Sequence, residues 1–288
     1  MIERMVIIGL GLIGGSLGLA VKQRGLCRDV VACGRDPVKL QGAVPRGIVD
    51  RVGESWEEAV DGADLVVLAT PVGVVETVLR KIAPRLSPET IITDVGSTKC
   101  SLIDAAQRVF DELPGALVPG HPIAGTEFSG YEHALADLFV DHKVILTPHA
   151  GSEPAAVARV SRLWRELGAD VVEMDAQEHD RVLAATSHLP HLLAYALVKM
   201  LADRTDHQAV FDFAAGGFKD FTRVASSDPV MWRNIALAND KELGALLTDY
   251  RELLDQMIAR LDSGDGDYLQ QLFHDAKIAR DTHLVGPR

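Results

Sequence analysis

The residues of this chain whose types and spacing can do chemistry fall into four short stretches. The first, Gly9-Leu10-Gly11-Leu12-Ile13-Gly14, has the spacing G-x-G-x-x-G. It follows the apolar run Val6-Ile7-Ile8 and opens a predicted helix, the setting in which that spacing cradles a dinucleotide pyrophosphate. Gly9 permits the tight turn, Gly11 lets the backbone approach the phosphates and Gly14 lets helix pack on strand, with Leu12 and Ile13 in the same turn. The phosphate charge then meets the free N–H groups of the helix N-terminus. The second stretch, Gly120-His121-Pro122-Ile123-Ala124-Gly125-Thr126-Glu127, comes straight after a predicted strand, which points His121 into the crevice. The third, Ser187-His188-Leu189-Pro190-His191, lies on a predicted helix, where Ser187 and His191 share a face. The fourth is Gly216-Gly217-Phe218-Lys219-Asp220-Phe221-Thr222-Arg223, with Trp232 beyond it. An imidazole takes a proton near neutral pH, and a guanidinium fork matches a carboxylate. His188 and His191 without a third ligand at helical spacing are a poor metal site, so no metal is expected.

Two further sheet ends face the same crevice. Thr70-Pro71 follows one predicted strand and Ser97 another, so Thr70, Pro71 and Ser97 are expected to line the nicotinamide side. The second strand ends Ala32-Cys33-Gly34-Arg35-Asp36. A carboxylate at the Gly34 position would hold a ribose 2′-hydroxyl; its absence, with Arg35 next, favours NADP over NAD. Asp36 keeps NAD open as the alternative.

The elements that must position these groups follow from periodicity. Met5–Gly9, Val30–Cys33, Leu65–Ala69, Ile91–Val95, Leu117–Pro119, Lys143–Thr147 and Asp170–Met174 read as strands, with helices at Leu12–Gln23, Trp56–Ala63, Gly73–Leu86, Lys99–Phe110 and Pro154–Leu167 between them. Apolar strands alternating with helices predict a parallel α/β sheet of the Rossmann type over residues 1–173. After Met174 the pattern is helical: Ala176–Leu201, Gln208–Ala214 and a run from Pro229 to Leu261. Ser226-Ser227-Asp228 supplies a cap before Pro229 at the first turn. Residues 174–288 are therefore expected to form an all-α domain. The stripe Leu243, Leu246, Leu247, Tyr250, Leu253, Leu254, Met257, Ile258 and Leu261 exceeds what this segment can cover internally, so a homodimer through the helices is expected.

The chain has 288 residues, 47% of them hydrophobic and 24% charged, which excludes a disordered, collagen-like or bare coiled-coil protein. A net charge of −12 argues against nucleic-acid binding. Cys27, Cys33 and Cys100 show no C-x-x-C spacing, and no secretion signal is apparent, which suggests reduced thiols in the cytoplasm. Met5–Val21 is uncharged but glycine-rich and shorter than the ~20 residues of a span, so no membrane association is expected.

Gly-His-Pro-Ile-Ala-Gly-Thr-Glu at 120–127, Ser-His-Leu-Pro-His at 187–191 and Gly-Gly-Phe-Lys-Asp-Phe-Thr-Arg at 216–223 closely resemble the prephenate/arogenate (cyclohexadienyl) dehydrogenases of tyrosine biosynthesis. The resemblance covers nearly the whole chain. It implies a nucleotide-binding domain, an all-helical dimerisation domain, and oxidative decarboxylation of a cyclohexadienol to a phenol with hydride transfer to NAD(P)+. It further implies that His121 binds the ring 4-hydroxyl and takes its proton. Ser97 would lie beside that hydroxyl and the nicotinamide, Arg223 would grip a substrate carboxylate, and His191 would line the pocket. Glu127, Ser187, Gly216, Asp220 and Trp232 match positions around it. With no regulatory domain after the helices, the chain resembles the short form of the family. Two other readings share the architecture. A β-hydroxyacid or imine-type reductase would present a helical lysine after a glycine-rich segment; Lys199 has no such segment before it. A non-catalytic nucleotide sensor would not need His121, Ser97 and Arg223 together.

Overall fold

A computed structural model describes residues 1–126 and 128–285; Glu127, one of the residues singled out above, lies outside the described residues. The chain divides into two compact units, Met1–Asp240 and Lys241–Arg288.

The first unit is built on six parallel strands: β1 (Ile2–Ile8), β2 (Cys27–Cys33), β3 (Arg51–Val52), β4 (Leu65–Leu68), β5 (Ile91–Asp94) and β6 (Leu117–Val118). Their order is β3-β2-β1-β4-β5-β6. The order reverses between β1 and β4, which opens a crevice at the carboxyl ends of those strands. The expected parallel sheet is present, and the period of two along each strand shows why. Met5, Ile7, Val30, Ala32, Leu65 and Val67 join one core; Val6, Ile8, Val31, Cys33, Val66 and Leu68 join the other. Both faces are covered: α1 (Leu12–Gln23) adds Leu17, Ala20 and Val21 to the first core. Past the short helices α2 (Pro37–Leu40) and α3 (Trp56–Ala59), α4 (Val75–Ile82) and α5 (Cys100–Gln107) supply Val78, Leu79, Ile82, Leu102 and Ala106 to the second.

Three later strands leave this sheet. β7 (Gly120–Pro122) runs antiparallel to β8 (Lys143–Leu146), which runs parallel to β9 (Asp170–Glu173). The sequence pattern placed the His121 motif after a strand ending at Pro119; instead His121 is itself on β7, paired with Ile145. β7 is an edge, the position that tolerates Pro122, which has no N–H to donate. The helix α6 (Pro154–Glu166) packs Val160, Leu163 and Trp164 against the first core.

The expected helix Ala176–Leu201 is three pieces: α7 (Ala176–Leu183), a π-helical turn Ala184–His188, and α8 (Leu189–Ala202). Pro190 sits in the first turn of α8, where its missing N–H is tolerated, and the wide turn upstream absorbs the mismatch. Then come α9 (His207–Asp212), α10 (Gly216–Thr222) and α11 (Pro229–Ala238). Asp228 caps α11 by accepting from the Met231 N–H at 2.7 Å. The run expected to continue to Leu261 breaks at Asn239, and α12 (Asp240–Ser263) and α13 (Gly266–Arg280) follow. Within the second unit, Leu253, Leu254, Ile258, Leu261, Phe273 and Ile278 are exposed in the single chain. Among the described residues, no helix is long and apolar enough to cross a membrane.

Candidate active site

The glycine turn between β1 and α1 is set by contacts that only glycine allows. Gly9 has φ +98°, and a Cβ there would meet the Ala69 carbonyl oxygen at 2.5 Å. A Cβ on Gly14 would meet the Gly9 carbonyl oxygen at 2.4 Å and the Ala69 Cβ at 3.0 Å, so Gly14 holds α1 against the β1 and β4 ends. A Cβ on Gly11 would meet no protein atom within 4 Å, so the space over the turn is open. Gly11 caps α1 without a side-chain hydrogen bond, and no acidic residue occupies the first turn around Leu12 and Ile13. An open cradle at an uncapped helix N-terminus fits a pyrophosphate. Next to it, the buried Thr70 hydroxyl has no protein partner, and Pro71 is exposed beside it. These features fit a bound dinucleotide.

At the end of β2, Gly34 is half-buried and Arg35 is exposed. Asp36 caps α2, its Oδ1 accepting from the Lys39 N–H at 3.0 Å.

β7, which packs against the end of β5, carries His121. Its Nδ1 lies 2.9 Å from Nε2 of His179 on α7, and Nδ1 of His179 lies 2.8 Å from Oδ1 of Asp180. The Asp180 carboxylate also accepts from the backbone N–H groups of Lys99 (2.8 Å) and Cys100 (2.9 Å). These contacts hold the Asp180 carboxyl below the usual carboxylate range despite its burial. Lys99 is fully buried, its Nζ bonded to the Asp94 carboxylate and, at 2.6 Å, to the Gly120 carbonyl oxygen. Asp94 also accepts from the N–H groups of Gly96 (2.8 Å) and Gly120 (2.9 Å). A buried ion pair is weak evidence for stability, but this one pins both ends of the residue preceding His121. Burial holds the His121 imidazole well below the ordinary 6.5, helped by the Lys99 cation and then by His179 and His188. A ring so placed is a neutral proton acceptor at physiological pH.

The helical side brings together the rest. The π turn directs His188 inward, where Asn239 Nδ2 lies 3.2 Å from its Nδ1 and 2.8 Å from the Asp180 carbonyl oxygen. Burial pushes the His188 pKa down to about 4, and the Ser97 backbone lies against the ring. Its Nε2 and the Trp232 Nε1 are buried without protein partners. His191 stacks on Trp232 and donates Nδ1–H to the Ser187 carbonyl oxygen at 2.8 Å. Burial lowers the His191 pKa, opposed by the Ser187 contact, and the Arg223 cation lowers it further, which places Arg223 within electrostatic reach of that ring. Arg223 makes no ion pair with Asp220; both are exposed, as is Gly216 at the first turn of α10. Lys199 is exposed and bonded to Asp203. Among the described residues, no group of three or more His, Cys, Asp or Glu side chains could hold a metal ion.

The sequence reading missed Asp94, Lys99, His179, Asp180 and Asn239. The signal was present for two of them: His179 and Asp180 sit with Leu183 on the buried face of α7, and a buried histidine–aspartate pair on an amphipathic helix demands a polar explanation.

A Rossmann sheet with an open glycine cradle, together with a partly buried, neutral histidine on β7, defines a nicotinamide-dependent dehydrogenase. Residues 17–173 match the family model described as prephenate dehydrogenase, nucleotide-binding domain, and residues 175–275 that described as prephenate dehydrogenase, dimerization domain. The chain belongs to the prephenate dehydrogenase family. It is 39% identical over 283 residues to the cyclohexadienyl dehydrogenase of Zymomonas mobilis, covering 96% of this chain and 95% of that one. The crystal structure of Aquifex aeolicus prephenate dehydrogenase in complex with hydroxyphenyl propionate and NAD+ superposes with a TM-score of 0.89 at 33% identity, over 97% of this chain and 98% of that one. Synechocystis arogenate dehydrogenase superposes with a TM-score of 0.81 at 30% identity, over 98% of this chain and 100% of that one.

Proposed function

We propose that this chain catalyses the oxidative decarboxylation of prephenate, arogenate or both, to 4-hydroxyphenylpyruvate and tyrosine respectively, as a step of tyrosine biosynthesis in the cytoplasm. The observation that carries the reading is the neutral His121 imidazole, partly buried on β7, with its back nitrogen engaged by His179. A nicotinamide coenzyme held in the glycine cradle would supply the acceptor for the hydride of ring C4. His121 accepts the proton of the 4-hydroxyl, with Ser97 beside that hydroxyl. Arg223 grips a carboxylate of the substrate and holds the ring so that C4 faces the coenzyme. His191, Trp232 and Ser187 line the ring pocket, with Gly216 and Asp220 around its mouth. Gly9, Gly11, Leu12, Ile13 and Gly14 hold the pyrophosphate; Thr70, Pro71 and Ser97 meet the nicotinamide side.

Gly34 and Arg35 receive the adenosine ribose. NADP is favoured there, because Arg35 is exposed and one oxygen of Asp36 is engaged in capping α2. We assign residues 1–173 to the coenzyme domain and 174–288 to a helical domain that forms a homodimer through its exposed apolar stripe. Steady-state assay of prephenate and arogenate, each with NAD+ and NADP+, followed by reduced-nicotinamide absorbance, tests the reading. Turnover of at least one substrate with kcat/KM favouring NADP+ is expected; no reduction with either substrate would overturn the function, and a strong NAD+ preference would overturn the coenzyme assignment alone.

A further inference from the structure

We infer that His179 and Asp180 form a positioning relay behind His121, which sets the tautomer of the His121 ring and carries the proton that ring collects. The inference rests on the proposed dehydrogenase reading for its chemistry, but its geometry stands without substrate. A carboxylate can only accept hydrogen bonds. Asp180 accepts from Lys99 N–H and Cys100 N–H, and its Oδ1 also lies 2.8 Å from Nδ1 of His179, so that nitrogen carries a hydrogen. With one hydrogen on the His179 ring, its Nε2 is bare and accepts from Nδ1–H of His121 at 2.9 Å. With one hydrogen on the His121 ring, Nε2 of His121 is then bare. That is the nitrogen free to meet a substrate hydroxyl. The opposite tautomer of His121 would set two lone pairs against each other at this distance, beside a fully buried His179.

The same chain gives the proton a path. As hydride leaves C4, the O–H bond breaks, Nε2–H of His121 forms, and the oxygen electron pair closes the C4=O bond. The Nδ1 proton of His121 passes to Nε2 of His179, whose imidazolium is then faced by the Asp180 carboxylate. Positive charge on His121 itself is opposed by burial and by Lys99, so the charge moves toward Asp180. When carbon dioxide leaves C1, the C1–carboxylate electron pair enters the ring and the carbonyl oxygen becomes a phenolate. The relay then runs backward and returns the proton to that oxygen. No proton has to leave the site, and the third group orients the base as in other acid–base triads.

The test is ¹⁵N NMR of the full chain labelled at histidine, without substrate, with the His121 resonances assigned through His121→Asn. We expect an unprotonated Nε2 and a protonated Nδ1 on His121; a protonated Nε2 in the wild-type protein overturns the relay. His179→Phe keeps a ring against His121 but removes the acceptor. It should give mixed His121 tautomers and lower kcat about 100-fold, with the Kd for NAD+ within twofold of wild type. A His179→Phe protein that binds NAD+ and keeps both wild-type kcat and a single tautomer also overturns it. If that variant fails to bind NAD+, the wild-type resonances decide alone. A protein that shows the expected tautomer and yet turns over no cyclohexadienol leaves the relay standing and removes the proposed function instead.

Discussion

The His191 imidazole lies flat on the Trp232 indole, ring centroids 3.6 Å apart and planes 20° from parallel. With Nδ1–H given to the Ser187 carbonyl, the bare Nε2 of His191 is held in one orientation. Such a stack is worth about 0.5–1.5 kcal/mol. Trp232→Leu should therefore raise KM for the cyclohexadienol roughly 2- to 10-fold while leaving kcat near wild type. Steady-state kinetics at saturating coenzyme measure it.

Arg223 reaches His191 electrostatically and is not tied to Asp220, which leaves its fork available for a carboxylate. Arg223→Gln should weaken ground-state binding: KM rises about 10- to 100-fold, the loss of a charge-assisted pair of about 1.5–3 kcal/mol, while NAD+ affinity is unchanged. An unchanged KM would move the carboxylate anchor elsewhere.

His121→Asn should lower kcat by about 10²–10⁴ with coenzyme affinity intact, read by turnover and by NAD+ titration. The pH profile carries a sign. Because the His121 pKa is depressed, the base stays unprotonated as pH falls through 6.5, and the acid limb of kcat/KM should lie below that value. The charged and titratable groups facing it are Lys99, His179, His188 and Asp180. An acid limb at or above 6.5 would contradict the burial of the ring.

His188 couples stability to pH. Its folded pKa of about 4 lies below the ordinary 6.5, so the unfolded chain binds the proton more readily. The stabilisation is fully present above pH 6.5 and is lost as pH falls toward 4, a difference of about 3 kcal/mol. Asp180, whose pKa is also lowered, begins to cost stability only below 3.8, so the two windows separate. Urea unfolding between pH 7 and 4.5 should show the loss, and His188→Asn should make it shallower, the remainder coming from His121 and His191, whose pKa values burial also lowers.

Ile258 is 55% and Leu261 62% exposed on α12, a costly arrangement for a chain alone in water. Ile258→Glu should convert a dimer to monomer in sedimentation velocity at micromolar concentration, without loss of the coenzyme site. A wild-type monomer would remove the dimer proposal.

What could be read from the residues in order was what local rules govern. Gly9, Gly11 and Gly14 are legible because turn geometry and helix–strand approach depend on a few neighbouring residues. The apolar runs that end β1 and β2 and make up β4 are legible because a stretch buried on both faces must be apolar throughout. His121, His191 and Arg223 stood out because each lies in a short distinctive motif. The two sheets, the π turn at Ala184–His188 and the break at Asn239 were not legible, since each is settled by what packs against it. Only the tertiary structure places Asp180 on the N–H groups of Lys99 and Cys100, about eighty positions away in the chain, and His179 behind His121. Those hydrogen bonds satisfy polar groups that folding has taken out of water. Which buried donor meets which acceptor depends on the closing of the whole unit, and no spacing along the chain encodes it.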